Sequence, residues 1–299
     1  VFPDLAYGEF QGYGTIPADL YFFEVRTADG GDLVGYFRID LSGLAGGAAV
    51  VFASGTLDGD PDFNLLAALP DGTVAPFQPS ALLQIIHNSP APVAEVVDVW
   101  VSNLNALLID DFAFRTSTGI AFLPARFGYE LGIAPPDSDE PGDILFTLPE
   151  ITLDESQQYT IFANGIPGNP DTPFELDINT GMQFRSVDDT EIDLAVFHGS
   201  PGAPAVDVTA RGIGQLIDGL PYGELEPYFG VAPQEYYLEI TPDDSDDLVG
   251  TFFGNLTGAE GLAGVIFASG ILGDDPAFGL FLALPSGMVI PLTPVARVQ

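Results

Sequence analysis

An internal repeat constrains this chain more than any other feature of its sequence. Residues Tyr7 to Pro76 align without a gap with Tyr222 to Pro291, at a constant offset of 215 (222 − 7), and 32 of the 70 aligned residues are identical. The run Phe52-Ala53-Ser54-Gly55, for example, recurs as Phe267-Ala268-Ser269-Gly270. A repeat of this fidelity indicates one structural unit that is used more than once.

A more divergent relative of the repeat lies between these two copies. There Phe162-Ala163-Asn164-Gly165 replaces the Phe-Ala-Ser-Gly run, and His87-Asn88-Ser89-Pro90 corresponds to His198-Gly199-Ser200-Pro201. The spacing predicts four segments. They are an incomplete repeat at 1–78 that lacks its opening strands, a divergent full repeat at 79–188, a full repeat at 189–292, and a tail at 293–299 that resembles the start of a further repeat.

The pattern within each repeat is that of strands and turns. Short runs in which apolar and polar residues alternate are separated by clusters of Gly, Pro, Asp and Asn, as at Thr27 to Asp32 between two apolar runs. Such alternation is typical of β-strands, and no helical period extends beyond a turn or two. The sequence therefore predicts an all-β chain of tandem antiparallel β-sandwich domains of the immunoglobulin-like kind.

Charge limits the partners that the surface can bind. The chain has 43 acidic residues against seven arginines, so its net charge is −36. Nucleic acid and anionic lipid are poor partners for such a surface, and molar salt would screen its self-repulsion. A secreted or cell-surface protein in a saline or calcium-bearing setting fits this charge, although acidic residues can also serve solubility alone. No apolar run is long enough to span a membrane.

The two histidines, His87 and His198, occupy equivalent places in their repeats. One interpretation makes each a metal ligand together with Asp98 or Asp207, but one histidine and one carboxylate per domain are too few for a closed zinc site. The other interpretation, which we favour, is structural: each imidazole bonds the backbone of its own Ser-Pro turn. Ser89 and Ser200 lie in proline turns without a nucleophile elbow, so the sequence predicts no enzyme.

A second metal hypothesis concerns Asp58, Asp60 and Asp62. Their alternating carboxylates resemble the start of a calcium loop, but no glycine stands at the sixth place and no glutamate completes the twelve-residue pattern. The aligned positions of the third repeat are Gly273, Asp275 and Ala277. Calcium binding and a solvated turn both remain open, and we expect no other cofactor.

A strand that ends in histidine, a Ser-Pro turn and then Pro-Ala-Val-Asp-Val, as in His198 to Val208, resembles the bacterial secreted domain catalogued as domain of unknown function 4397. The middle repeat has the His-Asn-Ser-Pro and Val-Asp-Val parts of the motif, with two extra residues between His87 and Asp98. The resemblance covers nearly the whole chain. It implies β-sandwiches in tandem on exported or surface proteins, and it implies no reaction.

These features together predict a non-enzymatic component of an extracellular or cell-surface fibre, filament or sheath. The alternative is an adhesin that binds glycan or a partner protein through its loops. At the tail, Ala296 and Val298 align with inward-facing positions of the second repeat's first strand. Either the sequence is part of a longer array, or this tail self-associates head to tail with the incomplete first repeat of the next subunit.

Overall fold

A computed structural model describes residues 5–28, 31–57 and 59–296 of the chain. The fold is all-β, with several antiparallel sheets and no α-helix among the described residues. In the same residues no helix has the length and hydrophobicity to cross a membrane. The helical segments are four single 3₁₀ turns, at Ser42–Leu44, Pro92–Ala94, Ser102–Leu104 and Pro141–Asp143.

By packing, the chain forms two compact units. Unit 1 consists of Val1–Leu82, Phe122–Gly128 and Thr152–Gln157, and unit 2 consists of Leu83–Ala121, Tyr129–Ile151 and Gln158–Gln299. The incomplete first repeat lies in unit 1, whereas most of the second repeat and the whole third repeat lie in unit 2.

The first repeat supplies five strands, and the long strand β6 follows them. The bounds are β1 Leu20–Arg26, β2 Leu33–Asp40, β3 Val50–Ser54, β4 Asn64–Ala68, β5 Val74–Pro76 and β6 Gln78–His87. β1 pairs antiparallel with β2, and β2 pairs antiparallel with the first residues of β6, with Phe37 opposite Pro79. A separate sheet has the order β3-β4-β5. Phe37, Leu65 and Phe77 form the centre of the core of this unit.

The second repeat supplies the next nine strands. They are β7 Val96–Val101, β8 Ala106–Ala113, β9 Ala121–Pro124, β10 Gly128–Tyr129, β11 Leu131–Ala134, β12 Phe146–Thr147, β13 Ile151–Thr152, β14 Gln158–Asn164 and β15 Glu175–Thr180. One sheet has the order β12-β11-β7-β8, and β6 is hydrogen-bonded to β14, which pairs antiparallel with β15. Val97, Val99, Phe112 and Ile133 lie in the core of this repeat.

The third repeat supplies the last ten strands, in two five-stranded sheets of order β19-β16-β22-β23-β24 and β18-β17-β20-β21-β25. Their bounds are β16 Ile192–His198, β17 Val206–Ala210, β18 Gly214–Leu220, β19 Leu225–Val231, β20 Glu235–Pro242, β21 Gly250–Asn255, β22 Ala263–Ser269, β23 Gly279–Ala283, β24 Val289–Pro291 and β25 Thr293–Pro294. A large core cluster lies in this repeat, with side chains from both sheets.

The expectation of purely antiparallel sheets is wrong where β16 pairs with β22. β16 pairs antiparallel with β19 on one side but parallel with β22 on the other, from Asp193 opposite Ala263 to His198 opposite Ala268. The long connection between β16 and β22 permits a parallel pair, which a short hairpin cannot form. β22 is consequently central in its sheet, and all seven of its residues are buried.

The equivalent strand of the first repeat is much more exposed. β3 aligns with the last five residues of β22 at the offset of 215, but it is the terminal strand of its sheet. Val51 is 50% exposed where Ile266 is 6% exposed, and Phe52 is 37% exposed where Phe267 is fully buried. Nearly the same sequence thus has two environments, because β22 pairs with both β16 and β23, whereas β3 pairs with β4 alone among the described residues.

This difference predicts unequal costs for the same substitution. Phe267→Ala should lower the free energy of unfolding by about 3–5 kcal/mol, as for a fully buried phenylalanine. Phe52→Ala should cost only about 1 kcal/mol, because its ring is already partly hydrated. Urea unfolding followed by circular dichroism measures both, and fluorescence of Trp100 reports on the unit that contains Phe267. Equal losses at the two positions would contradict the exposed edge of β3.

Candidate functional site

The second and third repeats meet within unit 2 through a shared apolar core. The rings of Phe162, on β14, and Phe197, on β16, are stacked with their centroids 3.7 Å apart. Ile86, Val265 and Phe267 complete the centre of this cluster. Because both repeats contribute fully buried aromatic rings to one core, we call this region the repeat junction and consider it the candidate site.

Each repeat places its His-x-Ser-Pro turn at the end of a buried strand. The Nε2 atom of His87 lies 2.7 Å from the carbonyl oxygen of Ala94, and the Nε2 atom of His198 lies 2.9 Å from that of Pro204. On the other side of each ring, Nδ1 accepts the backbone N–H of the serine two residues on, at 3.4 Å for Ser89 and 3.5 Å for Ser200. A carbonyl can only accept, so Nε2 is the donor and both rings are neutral.

Burial keeps the histidines neutral. Removal of water lowers the pKa of His87 to about 4, against the opposing effect of its backbone hydrogen bonds, and burial likewise lowers the pKa of His198. Since both ring nitrogens already have backbone partners, neither imidazole offers a free lone pair to a metal ion. This geometry supports the structural interpretation of His87 and His198.

The serines of the two turns are also engaged with the backbone. Ser89 Oγ donates to the carbonyl oxygen of Gly165 at 2.6 Å, and Ser200 Oγ donates to that of Gly270 at 2.7 Å. These glycines have φ values of +81° and +82°, and a Cβ on either would collide with a nearby carbonyl oxygen. Glycine is therefore required at both positions, because the backbone has a positive φ where its carbonyl group accepts the hydrogen bond from the serine of the His-x-Ser-Pro turn.

Asn88 links the two repeats and was missed by sequence reasoning. Its fully buried side chain donates from Nδ2 to the carbonyl oxygens of Gly199 (3.0 Å) and Ala268 (3.2 Å) and to Oδ1 of Asn164 (3.2 Å). Gly199 is the residue that corresponds to Asn88 in the third repeat, and a Cβ there would overlap Asn88 Nδ2. Asn88 and Gly199 occupy the one position at which the two His-x-Ser-Pro turns differ in sequence. This difference was the signal that could have identified the contact.

The network continues from Asn164 to a half-buried carboxylate. Asn164 Nδ2 donates to the hydroxyl oxygen of Tyr222 at 3.2 Å, and its side chain also hydrogen-bonds Asp177. Burial raises the pKa of Asp177 to about 6, with smaller contributions from the charges of Glu175 and Glu224, while the hydrogen bond from Asn164 opposes the rise. The junction therefore combines apolar contacts, neutral rings and one carboxyl group whose ionisation is disfavoured.

Asp98 and Asp207 lie away from the imidazole contacts described above. Asp98 Oδ2 accepts the N–H and Oγ–H of Ser138 at 2.8 and 2.6 Å, and its Oδ1 accepts the N–H of Asp111 at 2.8 Å. Asp207 Oδ1 accepts the N–H of Gly219, also at 2.8 Å. Both aspartates thus accept an N–H group of the next strand, from Asp111 in β8 and from Gly219 in β18, which supports a structural role.

Each of these aspartates also belongs to an acidic group that sequence reasoning did not assemble. Carboxylate oxygens lie within 4.8 Å of one another in two groups, Asp98 with Asp110 and Asp111, and Asp207 with Asp218 and Asp243. Such geometry can hold a divalent cation, although exposed carboxylates often cluster without one. Asp110 lies in β8, Asp218 lies in β18 and Asp243 follows β20, so their sequence spacing gives no regular metal-binding pattern.

The predicted calcium loop is only partly described. Asp58 lies outside the described residues, and Asp60 precedes a cis peptide bond to Pro61. Asp62 Oδ2 forms an exposed ion pair with Arg126 Nη2 at 3.3 Å, within unit 1. An arginine at this carboxylate competes with a cation for the same oxygen.

The described part of the tail pairs with β21. Pro294 pairs with Phe252, as Pro79 pairs with Phe37 at an offset of 215, and Val295 N–H donates to the carbonyl oxygen of Thr251 at 2.8 Å. Ala296 is exposed, and Val298 lies outside the described residues. The described tail therefore pairs with β21 in the same register in which the start of β6 pairs with β2.

An apolar cavity of about 260 Å³ lies between the two sheets of the third repeat. Its lining includes Leu194, Leu238 and Ile266 and contains no aspartate, glutamate or arginine. Both nitrogens of the lining residue His198 have backbone partners, and the hydroxyl of the lining residue Tyr236 donates to the carbonyl oxygen of Ala232 at 2.8 Å. The cavity consequently lacks a free acid or base.

Comparisons with known proteins give little guidance. No family model and no curated protein matches the chain. A solved structure with weak similarity is that of the Bacillus anthracis TIE protein, with a TM-score of 0.21 and 8% sequence identity. The match covers 83% of this chain and 53% of that one, so the chain spans about half the length of that protein. A similarity at this TM-score supports no conclusion about fold or function.

The histidine geometry predicts a stability cost without a loss of metal. His198→Gln should lower the free energy of unfolding of unit 2 by about 1–2 kcal/mol, because glutamine cannot replace both backbone hydrogen bonds. Urea unfolding monitored by Trp100 fluorescence measures this change. Ile213→Gln, at a 55% exposed position, is the control and should be nearly neutral. A metal lost from the His198→Gln variant, detected by elemental analysis, would refute the structural role.

The raised pKa of Asp177 predicts a pH-dependent effect of its removal. The folded state holds this proton up to about pH 6, whereas the unfolded chain releases it near pH 4, so the carboxyl group's contribution to stability falls between these values. Asp177→Asn should therefore raise the free energy of unfolding by about 1 kcal/mol at pH 7.5, after allowance for solvent screening, and by almost nothing at pH 3.5. Unfolding curves of variant and wild type at both pH values test this. An equal effect at both would show that the proton is not involved.

Proposed function

We propose that this protein is a non-enzymatic structural component of an extracellular or cell-surface fibre, filament or sheath, built from tandem β-sandwich repeats of the immunoglobulin-like kind. The observation that most supports this proposal is the repeat junction. There the stacked rings of Phe162 and Phe197 and the buried Asn88 join two successive repeats into one compact unit. A junction with a common core resists bending, which is the property that a fibre requires.

The matching register of β6 and the tail gives further support. Each segment begins with a proline that pairs with an equivalent phenylalanine of the preceding repeat. Pro79 lies opposite Phe37, and Pro294 lies opposite Phe252. One connection geometry is therefore used twice, and repeats joined by the same geometry stack into a regular array.

Charge supports a secreted or surface location in a saline environment. The net charge of −36 makes neighbouring copies repel one another unless salt screens them. The chain has no cysteine, so its stability comes from burial and strand pairing rather than from disulfides.

An adhesin is the second candidate, and one exposed cluster favours it. Tyr237 is 39% exposed. The centroid of its ring lies 5.2 Å from that of Phe253 and 5.7 Å from the guanidinium carbon of Arg211. Exposed aromatic rings can stack on sugars. Binding in a glycan array that is lost in Tyr237→Ala would support this alternative.

Screening gives the fibre proposal a direct test. The Debye length falls from about 30 Å at 0.01 M salt to about 3 Å at 1 M, so assembly should increase with sodium chloride. We expect filaments by negative-stain electron microscopy, and rapidly sedimenting species, at about 1 M salt, and single copies at about 0.01 M. Calcium chloride at matched ionic strength separates ion bridging from screening. Single copies at every salt concentration would contradict the proposal.

A further inference from the structure

The apolar cavity of the third repeat is larger than the voids that close packing leaves in a protein core. Its volume is about 260 Å³, and its lining includes residues of every strand from β16 to β25. Protein interiors pack as densely as organic crystals and contain few voids larger than a water molecule. Lining atoms without partners lose van der Waals contacts. A molecule that filled this space would restore those contacts.

Water is a poor occupant of the cavity. The lining contains no aspartate, glutamate or arginine. Both ring nitrogens of His198 have backbone partners, and the hydroxyl of Tyr236 donates to the carbonyl oxygen of Ala232 at 2.8 Å. A buried water typically makes about three hydrogen bonds, and an apolar cavity without such partners stays dry. An apolar molecule needs no polar partners and suits this lining better.

The first repeat has larger side chains at three positions that line the cavity in the third. These exchanges are Leu238 for Phe23, Gly254 for Ile39 and Leu292 for Phe77. In the first repeat the ring centroids of Phe23 and Phe77 lie 5.2 Å apart. In the third repeat a Cβ on Gly254 would lie 3.5 Å from the side chain of Leu292. The three exchanges therefore remove side-chain volume around one position, Leu292, although others, such as Leu282 for Ala67, add volume elsewhere in the lining.

Exposed lining residues mark the entrance of the cavity. Pro291 pairs with Phe281 in one sheet and Thr293 pairs with Phe253 in the other, so the chain crosses between the sheets at Leu292. β24 and β25 are the terminal strands of their sheets on this side. The exposed lining residues lie on these two strands and at the end of β21, and they are Asn255, Ile290, Pro291 and Thr293.

We propose that the third repeat binds one uncharged apolar small molecule between its sheets, with the entrance beside Leu292. A dry cavity of about 150 Å³ holds benzene, so 260 Å³ is enough for a two-ring aromatic compound or an aliphatic chain of medium length. The lining offers no arginine to pair with an acidic head group, and the net charge of −36 repels anions. This binding activity goes beyond the proposed fibre function and does not depend on it.

A fluorescent dye tests the site in the full chain. Prodan is a neutral two-ring aromatic dye whose emission shifts to the blue in apolar surroundings, and it should bind with one site per chain. Neutral 1-decanol should displace it at a concentration at least about tenfold lower than decanoate at pH 8. The absence of a saturable blue shift would overturn the proposal. Equal displacement by decanoate would overturn the uncharged ligand class.

Two variants that restore side chains of the first repeat locate the dye. Leu238→Phe and Gly254→Ile should each fill the cavity and weaken prodan binding at least about tenfold. 1-Decanol should raise the melting temperature of the wild type but not of these variants. Ile213→Phe is the matched control, because it enlarges a side chain that is 55% exposed and outside the lining, and it should bind prodan as the wild type does. Unchanged affinity in a folded cavity variant would refute the site.

Hydrogen–deuterium exchange of the wild type locates the ligand even where a variant does not fold. Saturation with 1-decanol should slow amide exchange in β21 and β24, which line the cavity, because a filled core opens less often. Exchange in β7, which belongs to the second repeat, should not change. Equal slowing in β7 and β21, or no slowing in β21, would contradict binding between these sheets.

Discussion

The pairing of one central strand in each full repeat is the interaction on which the rest of the structure depends. β16 is hydrogen-bonded to β19 on one side and to β22 on the other, and six of its seven residues are buried. Removing such a strand exposes apolar side chains on both flanks and leaves backbone groups without partners. In the described part of the first repeat, β3, which aligns with β22, is exposed, and residues 10–16, which align with β19, form no strand.

The repeat junction contains mostly neutral polar groups within a very acidic chain. His87 and His198 are neutral, burial disfavours ionisation of Asp177, and Asn88 links the repeats through amide hydrogen bonds alone. Ionised groups in this core would cost free energy unless they were paired. The chain has only seven arginines for pairing. Neutral polar groups such as Asn88 therefore join the repeats, together with the guanidinium of Arg115, which donates to Ser269 Oγ at 3.1 Å and to the carbonyl oxygen of Ala277 at 2.6 Å.

Sequence reasoning identified the elements that the repeat itself specifies. β4 and β23 have the same bounds at the offset of 215, and the two histidines occupy equivalent turns. It did not identify the parallel pairing of β16 and β22, because alternation of apolar residues is the same for either strand direction. Asn88 was missed because its acceptors, at Asn164, Gly199 and Ala268, are distant in sequence and meet only after folding.

The exposed edge of β3 and the high negative charge have opposite effects on the association of two copies. A free apolar edge ordinarily pairs with any exposed strand and leads to aggregation. A net charge of −36 opposes the approach of two copies at low salt.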